Sequence, residues 1–267
     1  MPAIQPCALL LLVGPDWRVE TVSANIAMIG DVQSAKAVGQ PLSELIGSNE
    51  IHTLRNRVSW LASDESEVQD FGVEWGALTL DVRATAEGQR YLIEAELAVE
   101  PRLPDGIGMV RSMTDRLTSK DPHEMAEQAI RQLHALMGFE SLLLCGRQGQ
   151  VIAGSNDEQP GLPTDAVAIP RLVADRDAEP VPLVGDEQSS LLSRALYLAP
   201  SDRDVDALAS KNIAATMTLP LRIDSELVGA VHASHPSPRR CGAERRSVAQ
   251  LFAERLVARM ARHGWQP

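Results

Sequence analysis

Residues Val73 to Arg83 alternate apolar with polar side chains. Val73, Trp75 and Ala77 are separated by Glu74 and Gly76, and Leu78, Leu80 and Val82 by Thr79, Asp81 and Arg83. Alternation over this length selects a β-strand with one wet face. Glu87-Gly88 supplies a turn, and Tyr91 to Val99 reads as the returning strand. Upstream, the apolar run Ala8 to Val13 ends in Gly14-Pro15-Asp16, where proline fixes φ and glycine and aspartate favour a turn. Trp17 to Val22 then reads as its partner strand. Short helices are expected over Ile26–Ile29, capped by Ser23 or Asn25, and over Pro41–Ile46, ended by Gly47. Ile51, Leu54, Val58 and Leu61 are spaced as one face of a further helix. Strands with a few helices between them define an antiparallel sheet with helices on one side.

The chain has 267 residues, enough for two domains. The Pro/Gly break Pro101-Arg-Leu-Pro-Asp-Gly-Ile-Gly108 divides it into domains at 1–102 and 109–267. After the break, Asp121 is placed to cap a helix that has Pro122 at its first position and Glu124 in its first turn. Met125, Ala129, Leu133 and Leu136 share that helix's face, and Gly138 ends it. Ser141–Cys145 and Val151–Ala153 form an expected hairpin, and Asn156–Pro163 a loop. Thr216–Leu221 and Leu227–His232 are strands joined at Asp224-Ser225, and a last helix is expected over Ala243–Arg262. The predicted class is α+β, with two antiparallel sheets and flanking helices.

Composition excludes several functions. The net charge is -11, against a binder of the phosphate backbone, and aromatics are 3%, against a base-stacking surface. Three cysteines make no disulfide framework. No apolar run reaches membrane-span length, and Cys7–Val13 lacks the basic flank of a signal peptide, so a cytoplasmic location is expected. There is no Gly-x-Ser-x-Gly elbow, Walker loop or dinucleotide fingerprint, and no enzyme is expected. Charge is uneven: residues 237–267 hold seven Arg against two Glu, and the remainder 18 basic against 34 acidic residues. A solvated helix face is the simplest account of the basic end.

Ile4-Gln5-Pro6 before a Leu-rich strand resembles the opening of the bacterial phytochrome PAS domain. Val22-Ser-Ala-Asn25 and Val38-Gly-Gln-Pro-Leu-Ser-Glu-Leu-Ile-Gly47 resemble later PAS segments of that family. Arg171-Leu-Val-Ala-Asp-Arg-Asp-Ala-Glu-Pro-Val-Pro-Leu183, and the stretch from Leu192-Ser-Arg194 through Ser-His-Pro-Ser-Pro238, are similar to its GAF domain. The resemblance implies a PAS–GAF pair whose GAF pocket holds a bilin such as biliverdin. Imidazoles meet the pigment's carbonyl and pyrrole nitrogens, cationic and hydroxyl groups its propionates, and a thiolate makes the covalent link.

Laid on the family, the chain departs from it. The attaching Cys upstream of Ile-Gln-Pro is absent, and Cys7 stands just after that motif. The two pocket histidines fall on Asp204 and on Ser234, beside His235. Cys145 takes a pocket tyrosine's place. Thr216 and Thr218 keep hydroxyls near the propionates, but Pro220 replaces a third. Ile169-Pro170 is a poor substitute for the family's Asp-Ile-Pro motif. Three residues before Ile4 cannot thread a loop at about 3.3–3.6 Å per residue, so no knot and a freer hinge between the domains are expected.

The candidate chromophore site is therefore Cys7, Cys145, Asp204, Thr216, Thr218, Ser234 and His235, with pigment binding lost or altered. Either thiol is also explained as a small buried residue. His232 and His235, three apart in a strand, point to opposite faces, so no metal site is expected with Cys241. On the last helix, Val248, Leu251, Phe252, Leu256 and Met260 suit either a homodimer interface or core. The expected function is a phytochrome-like sensory and signal-transduction module, a photoreceptor relative without catalytic output. It would act through a kinase or transcription-regulator partner. The alternative is a ligand-free adaptor or dimerisation protein.

Overall fold

A computed structural model describes residues 2–61, 66–156, 171–186 and 189–266. Along the chain come β1 (Ala3–Ile4), β2 (Ala8–Val13), β3 (Val19–Ser23), α1 (Ser34–Ala37), α2 (Leu42–Ile46), α3 (Ser48–Val58), β4 (Glu67–Trp75), β5 (Leu78–Glu87) and β6 (Arg90–Leu97). Then follow α4 (Gly106–Asp115), α5 (Pro122–Met137), β7 (Ser141–Gly146), β8 (Val151–Gly154), β9 (Arg171–Val173), β10 (Val181–Gly185), α6 (Asp202–Ala209), β11 (Ala215–Ile223), β12 (Glu226–His235) and α7 (Ala243–Arg262). The class is α+β, as expected: two sheets, every pairing antiparallel.

The chain forms two units, and the second half of the sequence contributes to both. Unit one is Met1–Ala98 with Ala178–Ala199, and unit two is Val99–Asp177 with Pro200–Pro267. The expected boundary at 102/109 thus lies slightly late, and residues 178–199 leave the second half altogether. Gly106-Ile-Gly108, read as linker, opens α4: the Asp105 carboxylate accepts from the Gly108 N–H at 2.8 Å as its N-cap.

In unit one the sheet order is β1-β10-β3-β2-β6-β5-β4. The central run Ala8–Val13 is wholly apolar because both of its faces are covered. Leu9, Leu11 and Val13 join Ile26, Leu42, Ile51 and Leu54 on the helix side, whereas Leu10 and Leu12 join Leu183, Leu191 and Leu192 from the inserted segment. Ala3–Ile4 pairs with Val181–Pro182 as an edge strand.

The wet face assigned to 73–83 holds at Glu74 and Thr79, which are exposed, but not further along. Asp81, Thr85, Glu94 and Glu96 are buried. Nor is Val73–Arg83 one strand. Trp75 pairs with Leu78 across the two-residue turn Gly76-Ala77, with Gly76 at φ +61°. The alternation changes phase at Ala77–Leu78, which is where the hairpin folds back.

Unit two has the sheet order β8-β7-β12-β11-β9, with α4 and α5 both packed against α7. Helix α5 begins and ends as its sequence dictates. Asp121 accepts from the His123 and Glu124 N–H groups, and Gly138 closes the helix at φ +67°. Asp224 and Ser225, both at positive φ, turn β11 into β12.

Candidate functional site

Residues directly opposite in an antiparallel pair share a face, so register assigns the two faces of the second sheet. One face carries Leu142 and Leu144 of β7, Val231 and Ala233 of β12, and Met217 and Leu219 of β11, all buried. Phe139, just after α5, meets the His235 ring edge-on on this side, with centroids 6.5 Å apart. This apolar face belongs to the helix layer.

The other face is polar along two neighbouring rungs. Ser141, Ser234, Thr216 and Val173 form one, and Leu143, His232, Thr218 and Arg171 the next. Cys145, Ala230 and Pro220 follow. Across the central pair, the Thr218 hydroxyl lies 3.1 Å from His232 Nδ1. Ser141 Oγ is buried without a hydrogen-bond partner among the described residues. The β7 and β12 members are closed over by the chain: His232 and Ser234 are each 3% exposed and Cys145 is 0%. Thr216 and Thr218 are half-buried and Arg171 is exposed, so the face opens along β11 and β9.

Four of the seven expected site residues meet here: Cys145, Thr216, Thr218 and Ser234. Three do not. His235 stands on the helix face, where its Nδ1 lies 3.0 Å from the Ser237 N–H. Asp204 is exposed on α6, accepting from Ser201 N at 3.1 Å and Ser201 Oγ at 2.7 Å in a capping box. Its carboxylate serves the helix end. Cys7 lies in unit one, in the turn between β1 and β2, half-buried. Burial pushes the Cys145 thiol up to about 11, so it is protonated at neutral pH and a poor nucleophile. Ile169-Pro170 lies outside the described residues.

Ser141, His232 and Arg171 are the members that sequence reasoning missed. The parity that separates His232 from His235 also places His232, two residues from Ser234, on Ser234's face. Arg171 gives no such signal, because its strand of three residues is too short to show a period.

On α7, Val248, Phe252, Leu256 and Met260 are buried within unit two, and Leu251 is 40% exposed. Of the two readings of this stripe, interface or core, burial favours core at every position but Leu251. The twenty-residue helix packs against both α4 and α5 as well as β11, which takes up more of its circumference than a single stripe. Among the described residues, no group of three His, Cys, Asp or Glu side chains is placed to hold a metal ion, and no helix is long and apolar enough to cross a membrane.

Comparison with known proteins agrees with this architecture. Residues 2–96 match the family model described as PAS fold. The whole chain resembles the chromophore-binding domain of an unusual bacteriophytochrome from R. palustris, at 21% identity and TM-score 0.78, covering 98% of this chain and 95% of that one. The chromophore-binding domain of Stigmatella aurantiaca phytochrome P1 is similar at 19% identity and TM-score 0.78, covering 96% and 95%. The Stigmatella aurantiaca photosensory core module matches at 18% identity and TM-score 0.77, over 98% of this chain but 58% of that one. No curated protein sequence matches. The chain has the PAS–GAF fold of a bacteriophytochrome chromophore-binding domain, as its segment-by-segment resemblance implied.

Proposed function

We propose that this chain is a phytochrome-type sensory module, working in the cytoplasm by binding and signalling rather than by catalysis. Its ligand is a linear tetrapyrrole held without a thioether on the polar face of the second sheet. The observation that carries this reading is the pair of adjacent rungs Ser141–Ser234–Thr216 and His232–Thr218–Arg171 on the face away from the helices.

The donor set fits such a ligand. Its two propionates call for a cation and hydroxyls, which Arg171, Thr218 and Thr216 offer along the open side. Its carbonyls and pyrrole nitrogens call for a group that both donates and accepts, and His232, bonded to Thr218, is of that kind. When bound, the pigment supplies the conjugated system that absorbs visible light. The covalent chemistry is the part that does not fit on this face: Cys145 is buried and protonated.

A second reading, a ligand-free adaptor that regulates a kinase or transcription factor, draws on the closure of His232, Ser234 and Cys145 by the chain itself. One experiment separates the two. Co-expression with a biliverdin source should give a red-absorbing protein with light-induced difference bands, and acid–urea denaturation should release the pigment unattached. A colourless protein ends the pigment reading and leaves the adaptor. Colour that survives denaturation, and is lost in Cys7→Ser or Cys145→Ser, ends the non-covalent form.

A further inference from the structure

The last two turns of α7 and the residue that caps it gather Arg255, Arg259, Arg262 and His263. With Ala258 and with Thr114 of α4 they line a cleft of about 420 Å³. Spacings of four and three put the guanidiniums on one side of the helix, where like charges repel. No carboxylate lines the cleft, and among the described residues none of the three arginines forms an ion pair. This clustering occurs in a chain of net charge -11.

Compensation of the helix dipole accounts for part of it. Arg259 and Arg262 lie in the last turn, where a cation is stabilised. Arg259 donates to the Thr114 carbonyl and Arg262 to the Ala258 carbonyl, both at 3.3 Å. Each guanidinium has five donors, so most remain available. Arg255 stands two turns before the helix end, and the dipole's influence fades within one. Neither the dipole nor a hydrogen bond within the described residues explains why it joins the other two.

We infer that this cleft, distinct from the sheet face of the proposed pigment site, is an anion site that takes a diphosphate group. The arginines span about 10 Å of helix at about 1.5 Å rise per residue, too far for one phosphate to meet all three forks. Planar guanidiniums match phosphate oxygens two at a time. The cleft's volume lies in the small-ligand range of about 300–1,000 Å³. Its lining has no large apolar side chain to seat a lipid tail. Inorganic diphosphate and a nucleotide's tail share this chemistry, and the same titration distinguishes them.

The test is calorimetric titration of the full chain with sodium pyrophosphate, ADP and sulfate at matched ionic strength. Pyrophosphate should bind saturably and at least about tenfold more tightly than sulfate. ADP matching pyrophosphate identifies recognition of the phosphates alone, and tighter ADP identifies a nucleotide. Arg255→Gln and Arg259→Gln should each weaken binding about tenfold, with Arg147→Gln, in the exposed turn after β7, unchanged. Circular dichroism and urea midpoints confirm that each variant is folded. Pyrophosphate binding no better than sulfate, or insensitive to both Arg255→Gln and Arg259→Gln, overturns the inference. So does binding of a Glu-rich peptide without pyrophosphate binding, which would make the cleft a protein-docking surface.

Discussion

The Thr218 hydroxyl and His232 Nδ1 face each other at 3.1 Å across the β11–β12 pair, in one of its directly opposed positions. The bond fixes the imidazole at the boundary between the closed and open halves of the polar face. Thr218→Val keeps the shape of the side chain and deletes the hydroxyl. It should lower stability by about 1–3 kcal/mol, because a buried ring nitrogen loses its partner. Any bound pigment should show a shifted absorption maximum, whereas Thr218→Ser should restore both properties. Urea unfolding and absorption spectra of the two variants check this.

Cys145 gives a pH signature. Its thiol is pushed up to about 11 in the folded chain from an ordinary value near 9.0, by burial. Below pH 9 both states carry the proton, and the group favours neither. As pH rises from about 9 to about 11, the unfolded thiol ionises while the folded one resists, so stability falls by about 2–3 kcal/mol. Cys145→Ala should flatten that part of the stability curve, measured by denaturant titration between pH 8 and 11. At neutral pH the native thiol should resist alkylation, and urea should unmask it.

Most of the fold was legible locally. Asp121, Pro122 and Gly138 bound α5 because capping and proline geometry act within a few residues. Asp224-Ser225 likewise marks its hairpin. What local reasoning missed is long-range. Nothing in Val181–Gly185 says that it pairs between β1 and β3, more than 150 residues away, or that the chain after it covers Glu94. The site was half legible for the same reason. Parity places Ser234 and His232 on one face, but only cross-strand register brings Arg171 beside Thr218. Asp204, taken for a pocket residue, answers to the helix end three residues from Ser201.

The inserted strand depends on a glycine. Gly185 has φ +125°, and a Cβ there would run into the Glu20 carbonyl oxygen and the Thr21 Cα on β3. Gly185→Ala should break the β10–β3 pairing and loosen the cover over Leu10 and Leu12, each of whose burial contributes about 1.5–3 kcal/mol. Limited proteolysis should then cut within 181–199 in the variant and spare the parent. Equal protection in both chains would show that the segment is held without this pairing.

Phe252 separates core from interface. It is fully buried on α7 within unit two, like Leu256 and Met260. Phe252→Ala should therefore cost about 3–5 kcal/mol by leaving a cavity. The loss of a core residue should not vary with protein concentration, whereas that of a subunit contact would. Denaturant midpoints measured over a hundredfold range of concentration, with tryptophan fluorescence as the probe, decide it.

A buried ion pair holds the insertion on the same face of the first sheet as Leu10 and Leu12. Arg83 bridges Glu67 at 2.7 Å and Glu94 at 2.6 Å, and the second Glu94 oxygen accepts from the Tyr197 N–H at 3.1 Å. Burial alone would lower the Arg83 pKa, but the two carboxylates outweigh it and keep it above its ordinary value, charged at any accessible pH. Glu94→Ala leaves that cation with half its compensation and the Tyr197 amide without its acceptor. It should cost about 3–5 kcal/mol, as breaking a buried pair does. Glu94→Gln still offers a carbonyl oxygen to Tyr197 and should cost less. If the two variants unfold at the same denaturant concentration, the charge on Glu94, rather than its bond to Tyr197, is what secures residues 190–199.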